Sequence, residues 1–100
     1  MFRFMRTATV RTAVQIPLGL KFANAVCVLF SKKYSVKFQY GAEVFNKANI
    51  HWYGDMDSVD KMIQFNAQLM QDQEYAKLLN EYNDVWVEGS MKDSLVVLGE

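Results

Sequence analysis

The chain has 100 residues, of which 51% are hydrophobic and 14% aromatic, and its eleven basic and eleven acidic side chains balance to zero. This length suits one domain with one modest core, and so much apolar content argues against disorder. The single cysteine, Cys27, excludes an internal disulfide, so the fold does not require an oxidising compartment. We therefore predict a single domain over residues 1–100.

The charges are separated along the chain. Residues 1–42 carry seven basic side chains and no acid, whereas residues 43–100 carry all eleven acids and four lysines. A basic half can bind nucleic acid or an anionic membrane, or it can face the acidic half across the fold or a dimer axis. No basic cluster is longer than Lys32-Lys33, so we favour the second explanation and predict no nucleic-acid partner.

The N-terminal region resembles a targeting segment only in composition. Residues 1–13 contain arginine and no acid, as organelle presequences do, but their removal would delete the first predicted strand. The apolar stretch 14–30 is interrupted by polar residues and is shorter than a bilayer span. We predict a cytoplasmic protein without a membrane partner.

The first elements follow from periodicity. Residues 2–11 alternate as a strand, with Phe2, Phe4, Arg6, Ala8 and Val10 on one parity. Pro17 fits the first turn of a helix that continues to Lys33. Its apolar positions recur at helical spacing and are Leu18, Phe22, Val26, Leu29 and Phe30.

The second half of the chain repeats this pattern. Strands are predicted at 35–45 and 49–54, joined by a turn at Asn46-Lys47, and Asp57 or Ser58 caps the next helix. The predicted inner stripe of that helix consists of Val59, Met62, Ile63, Asn66 and Met70. Asp72 can cap a restarted segment, and strand patterns follow at 85–89 and 94–99.

The order β-α-β-β-α-β predicts an α+β, ferredoxin-like fold: a four-stranded antiparallel sheet with two helices on one face. The strands are apolar or aromatic on both parities, as in Ile50, Trp52 and Tyr53. A bare apolar sheet face of this kind is rare in monomers. We therefore predict a homodimer in which two sheets pack face to face into an α/β barrel.

The strand NIHWYGDMDS and the helix VDKMIQFNAQLMQDQEYAKLLNEY, residues 49–82, resemble the dimeric α/β-barrel superfamily. Within it, they are similar to the NIPSNAP-like and antibiotic-biosynthesis-monooxygenase-like groups. The resemblance implies a small-molecule pocket between the sheet and the helices of each subunit. Members of this superfamily include cofactor-independent oxygenases, haem-degrading enzymes and isomerases, so the fold alone does not supply a function.

His51, the only histidine, is the candidate catalytic residue, because its ordinary pKa suits proton transfer near neutrality. The alternative is a structural histidine on a sheet face. One histidine and one cysteine, without metal-binding spacing, predict no transition-metal site, and haem ligation by His51 is the one alternative that the residues leave open. We predict no cofactor.

The candidate ligand-binding residues combine polar groups and aromatic walls. Arg6 stands among apolar residues, and a charge there needs either a protein carboxylate, which we favour, or a ligand carboxylate. Asn66 interrupts the helix stripe and has either a structural or a binding role. The remaining candidates offer apolar surface, in three cases with a hydrogen-bonding tip: Trp52, Tyr53, Tyr40 and Met62.

Three functions are compatible with these residues. The first is binding of a small apolar molecule, fatty-acid-like or aromatic, in a pocket with Arg6, His51 or a tyrosine at its polar end. The second is a cofactor-independent monooxygenase or isomerase in which His51 moves protons. The third is a structural dimer without a ligand. Whether the protein is an enzyme is left open by the sequence.

Overall fold

The protein is described from a computed structural model that covers residues 1–43 and 48–99. The strands are β1 (Phe2–Thr9), β2 (Phe38–Ala42), β3 (Asn49–Met56) and β4 (Lys92–Val97). The helices are α1 (Ile16–Tyr34), α2 (Val59–Leu69) and α3 (Gln73–Glu81), with 3-10 turns at Ala13–Gln15 and Asn83–Val85. The predicted turn at Asn46-Lys47 and the end of the predicted strand at 44–45 lie outside the described residues.

The four strands form one antiparallel sheet in the order β2-β3-β1-β4. This arrangement and its helices confirm the predicted ferredoxin-like α+β fold. The central strand β1 pairs with β3 in the register Arg6 opposite Trp52 and with β4 in the register Arg6 opposite Asp93. Opposed residues share a face, so the even-numbered residues of β1 and β3 face the helices and the odd-numbered residues face away.

Helix boundaries follow the capping residues that the sequence suggested. Pro17 lies in the first turn of α1, and the helix ends where Ser35 adopts a left-handed conformation with φ of 55°. Ser58 caps α2 by accepting a hydrogen bond from the backbone N–H of Lys61. Asp72 caps α3 and separates it from α2, which confirms the predicted restart.

The buried stripe of α2 differs from the prediction. Met62, Phe65 and Leu69 are buried, whereas Ile63 is 61% and Met70 is 87% exposed. A stripe read from hydrophobicity alone cannot fix the rotation of a helix, because rotation depends on what the neighbouring elements leave open. Here the aromatic side chains of α1 and β2 receive Phe65, which turns Ile63 outward.

The segment 85–89 does not form the predicted strand. Instead, Trp86 makes a single antiparallel bridge with Val10, and Gly89 has a φ of 74° in a turn closed by the Ser90 N–H and the Val87 carbonyl. The chain reverses there before it enters β4, which begins at Lys92 rather than at 94. A left-handed turn explains the interruption, since glycine adopts positive φ readily.

Helix α1 is the most apolar of the three α-helices. With its leading turn it spans Ala13–Tyr34, and it is long and apolar enough to cross a membrane by length and composition. The prediction that this stretch is too short to span was therefore wrong, because the helix extends beyond residues 14–30. Six of its residues are nevertheless buried in the fold, among them Phe22, Val26 and Phe30.

Ion pairs connect the basic N-terminal half to the acidic C-terminal half. Bonds join Arg3 to Asp55 and Arg6 to Asp93, each with a shortest N–O distance of 2.7 Å, and Lys33 lies 3.0 Å from Asp72. These contacts favour the explanation that the two charge blocks face each other within the fold.

Candidate functional site

A cavity of about 530 Å³ lies between the sheet and the helix layer. Aromatic rings make up most of its apolar wall, and polar side chains occur towards the segment 83–91. The aromatic lining residues are Phe4, Phe22, Phe30, Phe38, Trp52, Phe65, Tyr75 and Trp86, and the polar ones are Arg6, Arg11, Asn66, Asn83, Asp84, Glu88 and Ser90. A cavity of this size and composition is typical of small-molecule sites.

The aromatic wall is assembled from nearly every element. The rings of Phe30 and Phe65 meet edge to face with centroids 4.9 Å apart, and this contact joins α1 to α2. Phe22 approaches Trp86 at 5.5 Å, and Trp86 approaches Trp52 at 5.6 Å. These contacts fix the rings in place, so the cavity is framed by side chains that already support one another.

Arg6 lies on the central strand and faces the helices. Its Nε and Nη2 donate to the two carboxylate oxygens of Asp93 at 2.7 and 2.9 Å, and its Nη1 donates to the Tyr75 hydroxyl at 3.1 Å. The hydrogen bond to Asp93 raises the pKa of Arg6 above its ordinary value. The protein thus supplies the C-terminal acid that the sequence favoured as the partner of this charge.

Trp52 lies on the cavity wall directly opposite Arg6 in the β1–β3 register. Its side chain is almost completely buried, with 5% of the residue exposed. Within residues 1–43 and 48–99, no acceptor contacts its indole Nε1–H. Buried donors are nearly always paired, so this indole is an exception that calls for an explanation.

The segment 83–91 borders the cavity and is attached to the end of β1. The Arg11 N–H donates to the Val85 carbonyl and the Val87 N–H to the Thr9 carbonyl, both at 2.8 Å. The Thr9 N–H donates to the Ser90 hydroxyl at 3.1 Å. These bonds hold Trp86 against the cavity.

The predicted ligand-binding residues are divided by the fold. Arg6, Trp52 and Asn66 line the cavity together. Met62 is buried in the core outside the cavity lining. Tyr40 is partly exposed on β2, where its hydroxyl donates to Asn24 Oδ1 at 3.3 Å, and Tyr53 lies on the opposite face of the sheet.

Most residues of the cavity lining were not among the sequence candidates, and Tyr75 and Trp86 are two examples. Tyr75 follows the Asp72 cap by three residues, which places it in the first turn of α3 near the sheet. Trp86 was assigned to a strand that does not form. The available signal for Tyr75 was the cap spacing, whereas for Trp86 it was only that a large aromatic follows the last helix.

His51 lies on the helix-free face of the sheet, which separates it from the cavity. Its Nε2 is 2.6 Å from Glu43 Oε1, and its Nδ1 is 2.7 Å from Thr7 Oγ1. An ionised carboxylate only accepts, so Nε2 donates to it. Bonds from His51 and Asn49 lower the pKa of Glu43. The catalytic role of His51 stays a prediction.

Asp72 forms a polar cluster where α1 meets the start of α3. Its carboxylate accepts bonds from the Tyr34 hydroxyl and, at 3.0 Å, from the Tyr75 backbone N–H, and it lies 3.0 Å from Lys33 Nζ. Together these contacts hold the pKa of Asp72 well below its usual range. The cluster fixes α3, and with it the position of Tyr75 at the cavity.

Neither the Cys27 thiol nor the possible metal-ligating side chains of the described residues form a reactive site. Burial raises the pKa of the Cys27 thiol to about 11, so the thiol is protonated at neutral pH and behaves as an apolar group. Among the residues that the structure describes, no cluster of three or more histidine, cysteine or acidic side chains could hold a metal ion.

No family model matches the chain, and no curated protein matches it significantly. Solved structures do. A NIPSNAP family protein of unknown function from Agrobacterium tumefaciens superposes with a TM-score of 0.76 and 20% identity, covering 96% of this chain and 86% of that one. An uncharacterised NIPSNAP domain protein from Burkholderia xenovorans superposes with a TM-score of 0.79 at 15% identity, covering 99% of this chain and 95% of that one.

A candidate antibiotic biosynthesis monooxygenase from Deinococcus radiodurans gives a TM-score of 0.72 at 8% identity, covering 100% of this chain and 94% of that one. The chain has the fold of NIPSNAP-like and antibiotic-biosynthesis-monooxygenase-like proteins. The resemblance seen in residues 49–82 is confirmed for the fold. At sequence identities of 8–20%, the comparison shows a shared fold. A shared fold assigns no chemistry to the cavity.

Proposed function

We propose that the protein binds a small, largely apolar molecule in the cavity between the sheet and the helices. The observation that carries the proposal is the cavity itself, about 530 Å³ in volume and walled by aromatic rings. The space is a cleft lined mainly by apolar and aromatic side chains, with a few polar groups at its border. Small-molecule sites have this shape and composition.

The cavity supports binding better than it supports the predicted oxygenase or isomerase. In that alternative, His51 would move protons at the substrate, but the sheet separates His51 from the cavity. The polar groups that do line the cavity include Arg6, already bonded to Asp93, and the half-buried Asn66. Neither Arg6 nor Asn66 is a general base. The two carboxylates of the lining, Asp84 and Glu88, are exposed residues of the segment 83–91.

A cavity-filling variant tests binding. Asn66→Trp introduces a bulky ring at the lining, and Ala67→Trp introduces the same ring at the exposed neighbouring position of α2. We expect the neutral dye Nile red to bind wild type and Ala67→Trp with equal fluorescence enhancement and Asn66→Trp at least about tenfold more weakly. Equal binding by all three proteins would place the dye elsewhere and contradict the proposal.

Copurified molecules provide a second measurement. Native mass spectrometry of freshly purified protein, compared with the denatured mass, is expected to show a noncovalent adduct. An apo mass under gentle conditions, combined with no uptake of Nile red, would remove the binding function.

We also propose that two copies associate. Strand β4 is a sheet edge whose outer side pairs with no described strand, and it exposes Leu95, Val96 and Val97. An exposed apolar edge favours pairing with another chain. The helix-free face adds Met5 and Tyr53 but is more polar than predicted, which makes β4 the stronger candidate contact.

Sedimentation velocity at micromolar concentration tests association. We expect a dimer for wild type and a monomer for Val96→Asp, because a charge on β4 opposes edge pairing. Ile63→Asp, at an exposed apolar position on α2 instead of on the sheet edge, is the matched control and should remain dimeric. A monomeric wild type would contradict the proposal.

A further inference from the structure

Asn66 places a half-buried side-chain amide on the wall of the cavity. It lies on α2 between Phe65 and Leu69, two buried residues that line the same cavity. The amides of Asn24 and Asn49 bond to neighbouring side chains, whereas the Asn66 amide bonds to none of the residues that the structure describes. Asparagine also stabilises a helix interior less than alanine does. Neither a hydrogen bond within the described chain nor helix formation therefore explains this residue.

Both polar atoms of the Asn66 amide are accessible. Among the described residues, the Trp52 indole nitrogen is the one fully covered side-chain nitrogen or oxygen that lacks a hydrogen-bond partner. The Asn66 Oδ1 and Nδ2 also lack a described partner, so neither of them is fully covered. Because Asn66 lines the cavity, an occupant can contact its amide, whereas the Trp52 N–H is out of reach.

The charged groups of the lining select a ligand less sharply than this amide does. Arg6 is already paired with Asp93 through two bonds. Exposed charges bind a partner weakly, because water and salt screen them. The other charged residues of the lining form no ion pair with a described residue, and all of them are exposed: Arg11, Asp84 and Glu88.

We infer that the ligand of this cavity carries an adjacent hydrogen-bond donor and acceptor, as a lactam or a primary amide does, and pairs through both with the Asn66 amide. The inference rests on the proposed binding function and specifies its ligand class. A side-chain amide offers one oxygen acceptor and an NH₂ donor, and it forms two-bond pairs with such groups, as in the recognition of adenine by asparagine.

The physical reason is the displacement of water. An occupant removes water from the Asn66 amide, and a polar group that is left unpaired after desolvation weakens binding. A ligand with only an acceptor satisfies the amide NH₂ and leaves the Oδ1 unpaired. A ligand with an adjacent donor satisfies both atoms, so it should bind more tightly than an otherwise similar molecule.

Three flat probes of similar shape test this pairing. Phenanthridinone is a lactam in which an N–H donor lies beside a carbonyl acceptor, N-methylphenanthridinone keeps only the acceptor, and phenanthridine has only an acceptor nitrogen. In displacement of Nile red from wild type, we expect phenanthridinone to bind about tenfold more tightly than either of the other probes, as one additional buried hydrogen bond allows.

Variants assign the preference to one residue. Asn66→Leu keeps a side chain of similar size and removes both polar atoms, so it should reduce the ratio of phenanthridinone to N-methylphenanthridinone affinity to about one. Asn83→Leu makes the same chemical change at an exposed position of the same lining, and the ratio should stay near the wild-type value.

The outcomes separate this inference from the proposed function. If phenanthridinone binds wild type no more tightly than the other two probes, the ligand class is wrong while cavity binding stands. The same holds if Nile red binds but no probe displaces it, or if Asn83→Leu rather than Asn66→Leu abolishes the preference. If neither Nile red nor any probe binds, the proposed function fails and this inference fails with it.

Discussion

The face of the sheet under the helices carries Trp52 and Phe38, whereas the opposite face carries Thr7, His51 and Asn49. On the covered face the charge of Arg6 is paired with Asp93, and no residue that the structure describes accepts the buried indole N–H of Trp52. On the open face, polar side chains of neighbouring strands hydrogen-bond to one another, as the Thr9 hydroxyl of β1 does to Asn49 Oδ1 of β3.

Neighbours in sequence thus have unrelated roles. His51 and Trp52 are adjacent in β3, yet strand alternation puts them on opposite faces. The histidine, which attracts attention by its chemistry, belongs to the hydrated side. The cavity wall instead includes Trp52, which contributes apolar surface.

We expect the largest difference in unfolding free energy between a buried and an exposed position of helix α2. Phe65 is 4% exposed and contacts Phe30 and Phe38. We expect Phe65→Ala to lower the free energy of unfolding by about 3–5 kcal/mol, because it removes a packed aromatic ring. Urea denaturation measures the change.

Ile63→Ala on the same helix is the control, and we expect a change within about 0.5 kcal/mol because the side chain is exposed. Similar losses for the two variants would mean that α2 packs with Ile63 inward, as its hydrophobicity suggested.

Alanine substitutions at two strand glycines compare how tightly the two faces of the sheet are packed. At Gly54, on the covered face, an added Cβ would lie 2.5 Å from ring carbons of Phe38, whereas at Gly41, on the open face, it would meet nothing within 4 Å. Gly54→Ala should destabilise the protein by about 1–3 kcal/mol through overpacking. Gly41→Ala should be neutral or slightly stabilising.

Thermal unfolding of both alanine variants measures this contrast. A stable Gly54→Ala protein would show that the Phe38 ring can move away from the sheet.

The pH dependence of stability should differ between Asp72, at the start of α3, and Glu43, on the open face of the sheet. We expect this difference to be smaller than the effects of the core substitutions. The pKa of Asp72 is lowered by the Tyr34 hydroxyl, the Tyr75 N–H and Lys33. Such a carboxylate stabilises the fold above its unfolded pKa, and this contribution is lost as the pH falls towards the folded value. The ordinary pKa is 3.8, so we expect wild type to lose more stability than Asp72→Asn between about pH 6 and pH 3.

Glu43→Gln provides the open-face comparison. The pKa of Glu43 is also lowered, with bonds to His51 and Asn49 as the main causes, so the sign of the pH effect is the same. Its magnitude should be smaller, since Glu43 is partly exposed and caps no helix. Urea midpoints measured across the pH range test both variants, and parallel curves for wild type and Asp72→Asn would contradict the assignment.

The order of elements could be predicted because each signal is local. Strand alternation in residues 2–11, Pro17 at the start of α1, and the caps Ser58 and Asp72 all act within a few residues. The position of Arg6 among apolar residues also predicted an acidic partner from the C-terminal half, and Asp93 is that partner. These features depend on spacing and on charge balance.

The membership of the cavity could not be predicted, because it depends on contacts between distant segments. The rotation of α2 that buries Phe65 is decided by rings from α1 and β2. Trp86 reaches the cavity through a single bridge to Val10, a contact for which the local pattern carries no signal.

The sequence by itself determined the ferredoxin-like order of strands and helices, the caps between them and the parity that separates His51 from Trp52. Only the tertiary structure decided which side of that parity faces a cavity, that Arg6 is paired with Asp93 there, and that no described residue accepts the buried Trp52 N–H. Periodicity is a property of neighbouring residues, whereas enclosure and hydrogen-bond satisfaction depend on every element that surrounds an atom.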